Sequence, residues 1–208
     1  MKKRILKTIG LIMALVISVC AFASCMDFDE LEQMVDESSK GSSSKTDMSG
    51  NADEVTVLEW FESVQENEAV PFTLIEKAKT MLSEHEELFL ENKKDGLDAY
   101  TDTTLEYKVL TKNIDKHGDK LLYLEEAYVL SIDETEIDEN MTVSELHLLD
   151  ADENSYYCLS LCAYDNIFEE DVVKVYALPI GETSFENISG GTTLAIMLAG
   201  CYIEKIEE

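Results

Sequence analysis

The side chains best suited to nucleophilic or metal chemistry are few: three histidines (His85, His117, His147) and five cysteines, of which Cys158, Cys162 and Cys201 lie in the C-terminal half. A thiol or hydroxyl nucleophile needs a base within hydrogen-bond reach, and no spacing here pairs a histidine with a cysteine or serine. G-x-S-x-G, H-E-x-x-H and phosphate-loop patterns are absent. No C-x-x-C or Cys/His spacing suggests zinc. Asp150, Asp152 and Asn154 copy the opening of a calcium loop, but Ser155 replaces the turn glycine and Leu161 the bidentate glutamate. The expected role of Asp150–Asn154 is therefore a polar hairpin tip. Asp133, Glu134, Glu136, Asp138 and Glu139 form an acidic run that reads as a solvated loop. We expect no catalytic residues, no metal ligands and no cofactor.

These residues must be positioned by two kinds of element. Val55, Leu58, Phe61 and Val64 recur at helical spacing around Trp60, and Pro71 ends that segment. Thr73 followed by Glu76 reads as a capping box. The apolar stripe Leu74, Ile75, Ala78, Met81, Leu82, Leu88 and Phe89 predicts a helix to about Asn92, stopping near Asp95-Gly96, with His85 beside the stripe. That stripe must be buried against something.

From Leu121 the pattern turns to strand. Five strands are expected: 121–132, 143–149, 156–164, 172–178 and 192–206, with loops at 133–140 and 179–191. Gly200 reads as a bulge or bend in the last of them. So many apolar strands in so short a stretch suit a small barrel, which removes sheet edges. At strand spacing Cys158 and Cys162 lie ~13 Å apart, too far to bridge. A bridge from Cys201 to either one is geometrically allowed. Three buried thiols acting as small apolar residues is the simpler reading.

The amino end has its own logic. Lys2, Lys3, Arg4 and Lys7 precede an apolar run from Ile9 to Ala23, which is about 15 residues where a spanning helix needs roughly 20. Small residues Ala23 and Ser24 then lead to Cys25. The segment resembles a bacterial lipoprotein signal, with Phe22 where leucine is usual. The resemblance implies cleavage after residue 24 and lipidation of Cys25. An ordinary secretory signal, cut after Ala21-Phe22-Ala23, is the alternative. Residues 25–52 are acidic and then Ser/Gly/Lys-rich, a tether reaching roughly 30 Å as a flexible coil.

Without residues 1–24 the chain holds 12 basic against 44 acidic residues, a formal charge of −32. Nucleic acid and anionic membrane surfaces are repelled by such a chain. Between Gly118 and Ile206 there are 3 lysines, no arginine and 19 acids, so the aromatics there have no cations beside them to hold a phosphate backbone.

The run Tyr107-Lys108-Val109-Leu110-Thr111-Lys112-Asn113-Ile114-Asp115-Lys116-His117-Gly118-Asp119-Lys120-Leu121 resembles the entry segment of OB-fold domains in surface lipoproteins of Gram-positive bacteria. The similarity continues at Ile167–Tyr176, at Thr183–Asn187, at Gly190–Thr193 and at Ala199–Ile203. It covers roughly residues 105–206 and implies an OB-type barrel there; with the helices and amino end read above, the expected protein is α+β, N-terminal helices packed on a C-terminal five-stranded OB-type β-barrel, divided as 1–24 signal, 25–52 tether, 53–104 helical portion and 105–208 barrel. It further implies an extracytoplasmic module on the outer face of the cytoplasmic membrane, anchored through lipid on Cys25. The expected function is non-enzymatic binding of a protein or cell-wall glycan. A structural or accessory role in a membrane complex is the alternative, and a hydrolase comes third. OB folds often bind at the loop between strands four and five, which makes Tyr176 and Phe185 the candidate contact residues.

Overall fold

The computed structural model describes residues 55–65, 71–138, 141–186 and 190–207. Cys25, the tether and the ends of both long hairpins lie outside them. Helix α1 (Val57–Gln65) buries Val57, Trp60, Phe61 and Val64. It is started by a capping box the spacing argument overlooked. Glu59 N donates to Thr56 Oγ1 (3.2 Å) and Thr56 N donates to Glu59 Oε2 (2.8 Å). The box expected at Thr73 does not form. Helix α2 (Glu76–Glu84) starts later, with Ile75 at its N-cap and no side-chain cap. Leu74 N donates to Gln65 Oε1 instead (2.6 Å), and Ile75 N to the Ile180 carbonyl (3.0 Å). The helix also stops at Glu84, not near Asn92. His85 takes a non-helical backbone and a 3-10 turn follows over Glu86–Leu88. Apolar residues three apart share a face in both helix types, so the stripe alone did not reveal the break. Gly96, in the left-handed region (φ 86°), begins the next 3-10 turn. Helix α3 (Tyr107–Leu110) precedes the first strand.

Five strands follow: β1 (Leu122–Asp138), β2 (Met141–Leu149), β3 (Ser155–Ser160), β4 (Val172–Glu186) and β5 (Thr192–Lys205). They close in the order β1-β2-β3-β5-β4, all antiparallel except β3 with β5. The first part of β1 pairs with β4 and the rest with β2. The chain is thus α+β with a β-rich C-terminal half.

Three boundaries differ from the sequence reading. Most of the acidic stretch 133–140 is strand, because Asp133–Glu136 pair in register with Glu145–Thr142 of β2, and pairing overrides their weak strand propensity. Pro179 and Gly181 do not open a loop; they flank a bulge at which Ile180 is the extra residue. A proline is tolerated there because its missing N–H is not needed by the ladder. The Ile180 carbonyl is the acceptor for Ile75 N. Third, β3 ends at Ser160, and Tyr164 lies beyond it in the connection to β4, with its hydroxyl 2.8 Å from Ser160 Oγ.

One core joins the helices to the barrel, running from Val57 and Leu82 through Leu146, Leu178 and Leu198. Two close contacts fix the join. A Cβ on Gly181 would lie 2.6 Å from the Thr73 carbonyl, so only glycine admits that approach. Asn92 offers its side-chain amide to the backbone of Ile203: Nδ2 donates to the carbonyl (2.9 Å) and Oδ1 accepts from the N–H (2.8 Å). Gly200 lies beside the β4–β5 irregularity, as its sequence context suggests, and a Cβ there would crowd Ser160 Cβ and Cys158 Sγ.

Candidate functional site

The two residues singled out by sequence lie on β4 nine positions apart, so the structure does not bring them together. Tyr176 is only 6% exposed. Tyr123 and Tyr202, its cross-strand neighbours, place their rings 4.6 and 6.2 Å from its own, and the Lys94 ammonium lies 5.7 Å above it. Because β4 extends to Glu186, Tyr176 does not flank the turn into β5. Phe185 does lie beside that turn. It is half-buried, edge-on to His147 with centroids 5.4 Å apart.

His147 belongs to a polar group on one face of β2 and β3. Its Nε2 and Ser155 Oγ share a 2.7 Å hydrogen bond. Burial pushes its imidazole below the ordinary value. Beside it, the buried Glu145 accepts from Tyr157 OH (2.8 Å), and burial, then the facing Asp133, raise its carboxyl. A serine–histidine contact is the start of a nucleophilic centre, but Ser155 is 4% exposed. Two surface cavities among the described residues, about 490 and 370 Å³, are lined by other residues. What this group does is satisfy polar atoms inside the sheet.

The remaining chemical candidates take structural positions. The Asp150 carboxylate accepts from Asp152 N, Asn154 N, Asn154 Nδ2 and Tyr156 OH, which organises the β2–β3 turn. Among the described residues no cluster of three or more His, Cys, Asp or Glu is arranged to hold a metal. Cys158 and Cys201 are buried and outside any disulfide. Burial pushes the Cys158 thiol up to about 12 and Cys201 well above its usual value, so neither supplies a thiolate at neutral pH. His85 packs on Tyr100, as a residue beside an apolar stripe should.

What does face solvent is an apolar patch at the β1–β4 junction. Among the described residues, four of the five exposed large apolar side chains are Tyr128, Leu130, Val172 and Phe168. Tyr128 and Val172 are cross-strand partners. Leu130, 45% exposed, is the extra residue of a bulge against β2. Phe168, 61% exposed, tops the turn that leads into β4. Its N–H donates to Asp171 Oδ2 (2.8 Å), and the Asp171 carbonyl accepts from Val129 N (2.8 Å). Lys205 bonds Asp171 (2.8 Å) and lies 5.7 Å over the Phe168 ring. The 490 Å³ groove starts beside the patch and carries Lys174, Asn166, Tyr202 and Glu204. The sequence held a faint signal for this surface: Phe168 stands among Asp165, Glu169, Glu170 and Asp171, and the run Ala127–Leu130 is apolar on both faces.

The chain matches no family model, no curated protein and no solved structure in comparisons with known proteins. No helix among the described residues is long and apolar enough to cross a membrane.

Proposed function

We propose that this chain is a non-enzymatic binding module of OB type, held on the outer face of the cytoplasmic membrane by lipid on Cys25, and that it docks a protein through Tyr128, Leu130, Phe168 and Val172. The observation that carries the docking is the clustering of four exposed apolar side chains at one strand junction of an otherwise strongly acidic chain. The strand order, with β3 parallel to β5, supports the OB reading. The basic, apolar and Cys25 sequence at the amino end supports the anchor. A cell-wall glycan is a weaker occupant of this patch, since Leu130 and Val172 offer no ring to stack on and the Lys205 ammonium lies over the Phe168 ring.

The test uses the full chain in its native membrane. Cys25→Ala should abolish incorporation of labelled fatty acid and release the protein from the membrane fraction. Leu130→Asp with Phe168→Asp should leave anchoring intact and remove crosslinks to the partner. Unchanged crosslinks would refute the docking surface, and a membrane-bound, unlabelled Cys25→Ala protein would refute the anchor. The alternative reading, an accessory subunit held by its acidic face, predicts crosslinks that vanish with rising salt and survive both aspartates.

A further inference from the structure

The apolar patch lies at the start of an open sheet edge. Up to Tyr128, β1 is paired with β4, and Val129 is paired with the turn before it, accepting from Glu170 N (2.9 Å) and donating to Asp171 O. From Ser131 to Glu136, among the described residues, the β1 backbone has strand partners on β2 alone. Its other side is a row of main-chain donors and acceptors, a template for one more strand. Asp133, Glu134 and Glu136 are exposed along it, with Glu134 Oε1 accepting from Ser144 Oγ (2.9 Å) and Tyr164 N (2.7 Å), and Glu169 and Glu170 stand at its head beside Phe168. Lys205, at the head of the edge, is already bonded to Asp171, and Lys93, which shares a groove with Thr142 opposite Glu136, to Glu91.

Charge decides the occupant. A second copy of this chain would set these carboxylates against their like, and an anionic lipid surface is repelled in the same way. Resting on the docking reading above, we infer that the partner contributes an extended, lysine- or arginine-bearing segment. That segment adds to the open edge of β1 as a sixth strand, with its cations on the face that carries Glu134 and Glu136 and its apolar side chains reaching towards the Leu130 and Phe168 end.

Hydrogen exchange on the full chain in detergent micelles tests this. The probes are three capped seven-residue peptides: alternating Lys and Val, the same peptide methylated at every backbone nitrogen, and alternating Glu and Val. The first should slow exchange of alternate amides within Leu130–Glu136 by about tenfold, the protection gained when an open edge is paired. The methylated and acidic peptides should leave exchange unchanged, and rising salt should weaken the first. Equal protection by the methylated peptide, protection elsewhere only, or no protection at all would overturn strand addition. If strand addition fails while Leu130→Asp with Phe168→Asp still removes the partner crosslinks, the docking surface stands without it.

Discussion

His147 Nε2 lies 2.7 Å from Ser155 Oγ, a diagonal pair across the β2–β3 ladder. Ser155→Ala leaves a half-buried imidazole nitrogen without that partner, and should cost about 1 kcal/mol in denaturant titrations.

The same histidine should give the fold a pH dependence. Burial lowers its pKa below the ordinary value, so the unfolded chain takes up a proton first as pH falls. Its contribution is complete above an unfolded pKa of about 6.5 and is lost as pH drops through the lowered folded value. Between pH 7.5 and 5.5 the urea midpoint of wild type should fall more than that of His147→Gln. Parallel curves would show that the imidazole does not titrate differently on folding.

Glu145 has the opposite sign. Burial and Asp133 raise its pKa, so the folded chain holds the proton longer and stability from this group is lost as pH rises through the folded value. Glu145→Gln keeps an acceptor for Tyr157 OH and removes the charge. The variant should unfold at higher denaturant than wild type at pH 7, with the gap closing towards pH 4.

Two threonines separate real from apparent helix caps. Thr56→Ala removes an observed capping pair and should cost about 1 kcal/mol, seen as faster exchange in α1. Thr73→Ala removes a side chain that caps nothing and should be close to neutral. Equal effects at both positions would contradict this assignment.

Gly181→Ala should destabilise by roughly 1–3 kcal/mol, since the new methyl must displace the backbone at Thr73. Exchange should rise first at Ile75, whose N–H depends on the adjacent Ile180 carbonyl. A silent substitution would mean that this join yields at little cost.

The five strands and the helical lead-in were legible because apolar periodicity survives whatever the loops do. Their extents were not. Acids at 133–136 and the Pro179–Gly181 stretch are ordinary loop signals, and cross-strand pairing turned the first into β1 and the second into a bulge. The surface was harder still. Parity puts Tyr176 on a face of β4, but only the folded chain brings Lys94, Tyr123 and Tyr202 over it. Leu130 reads as strand interior until its bulge is seen, and Phe168 is exposed by a turn whose bonds to β1 no local pattern announces.

Asn92 and Ile203 are 111 positions apart and exchange two hydrogen bonds. The strand bearing Ile203 lies between β3 and β4 and pairs with both. A polypeptide emerging amino end first cannot complete this molecule until that late residue is free, so early segments wait with their apolar faces uncovered. A route that threads the chain while it is still being made therefore meets an open, unfinished polypeptide, and closure waits until Ile203 has emerged.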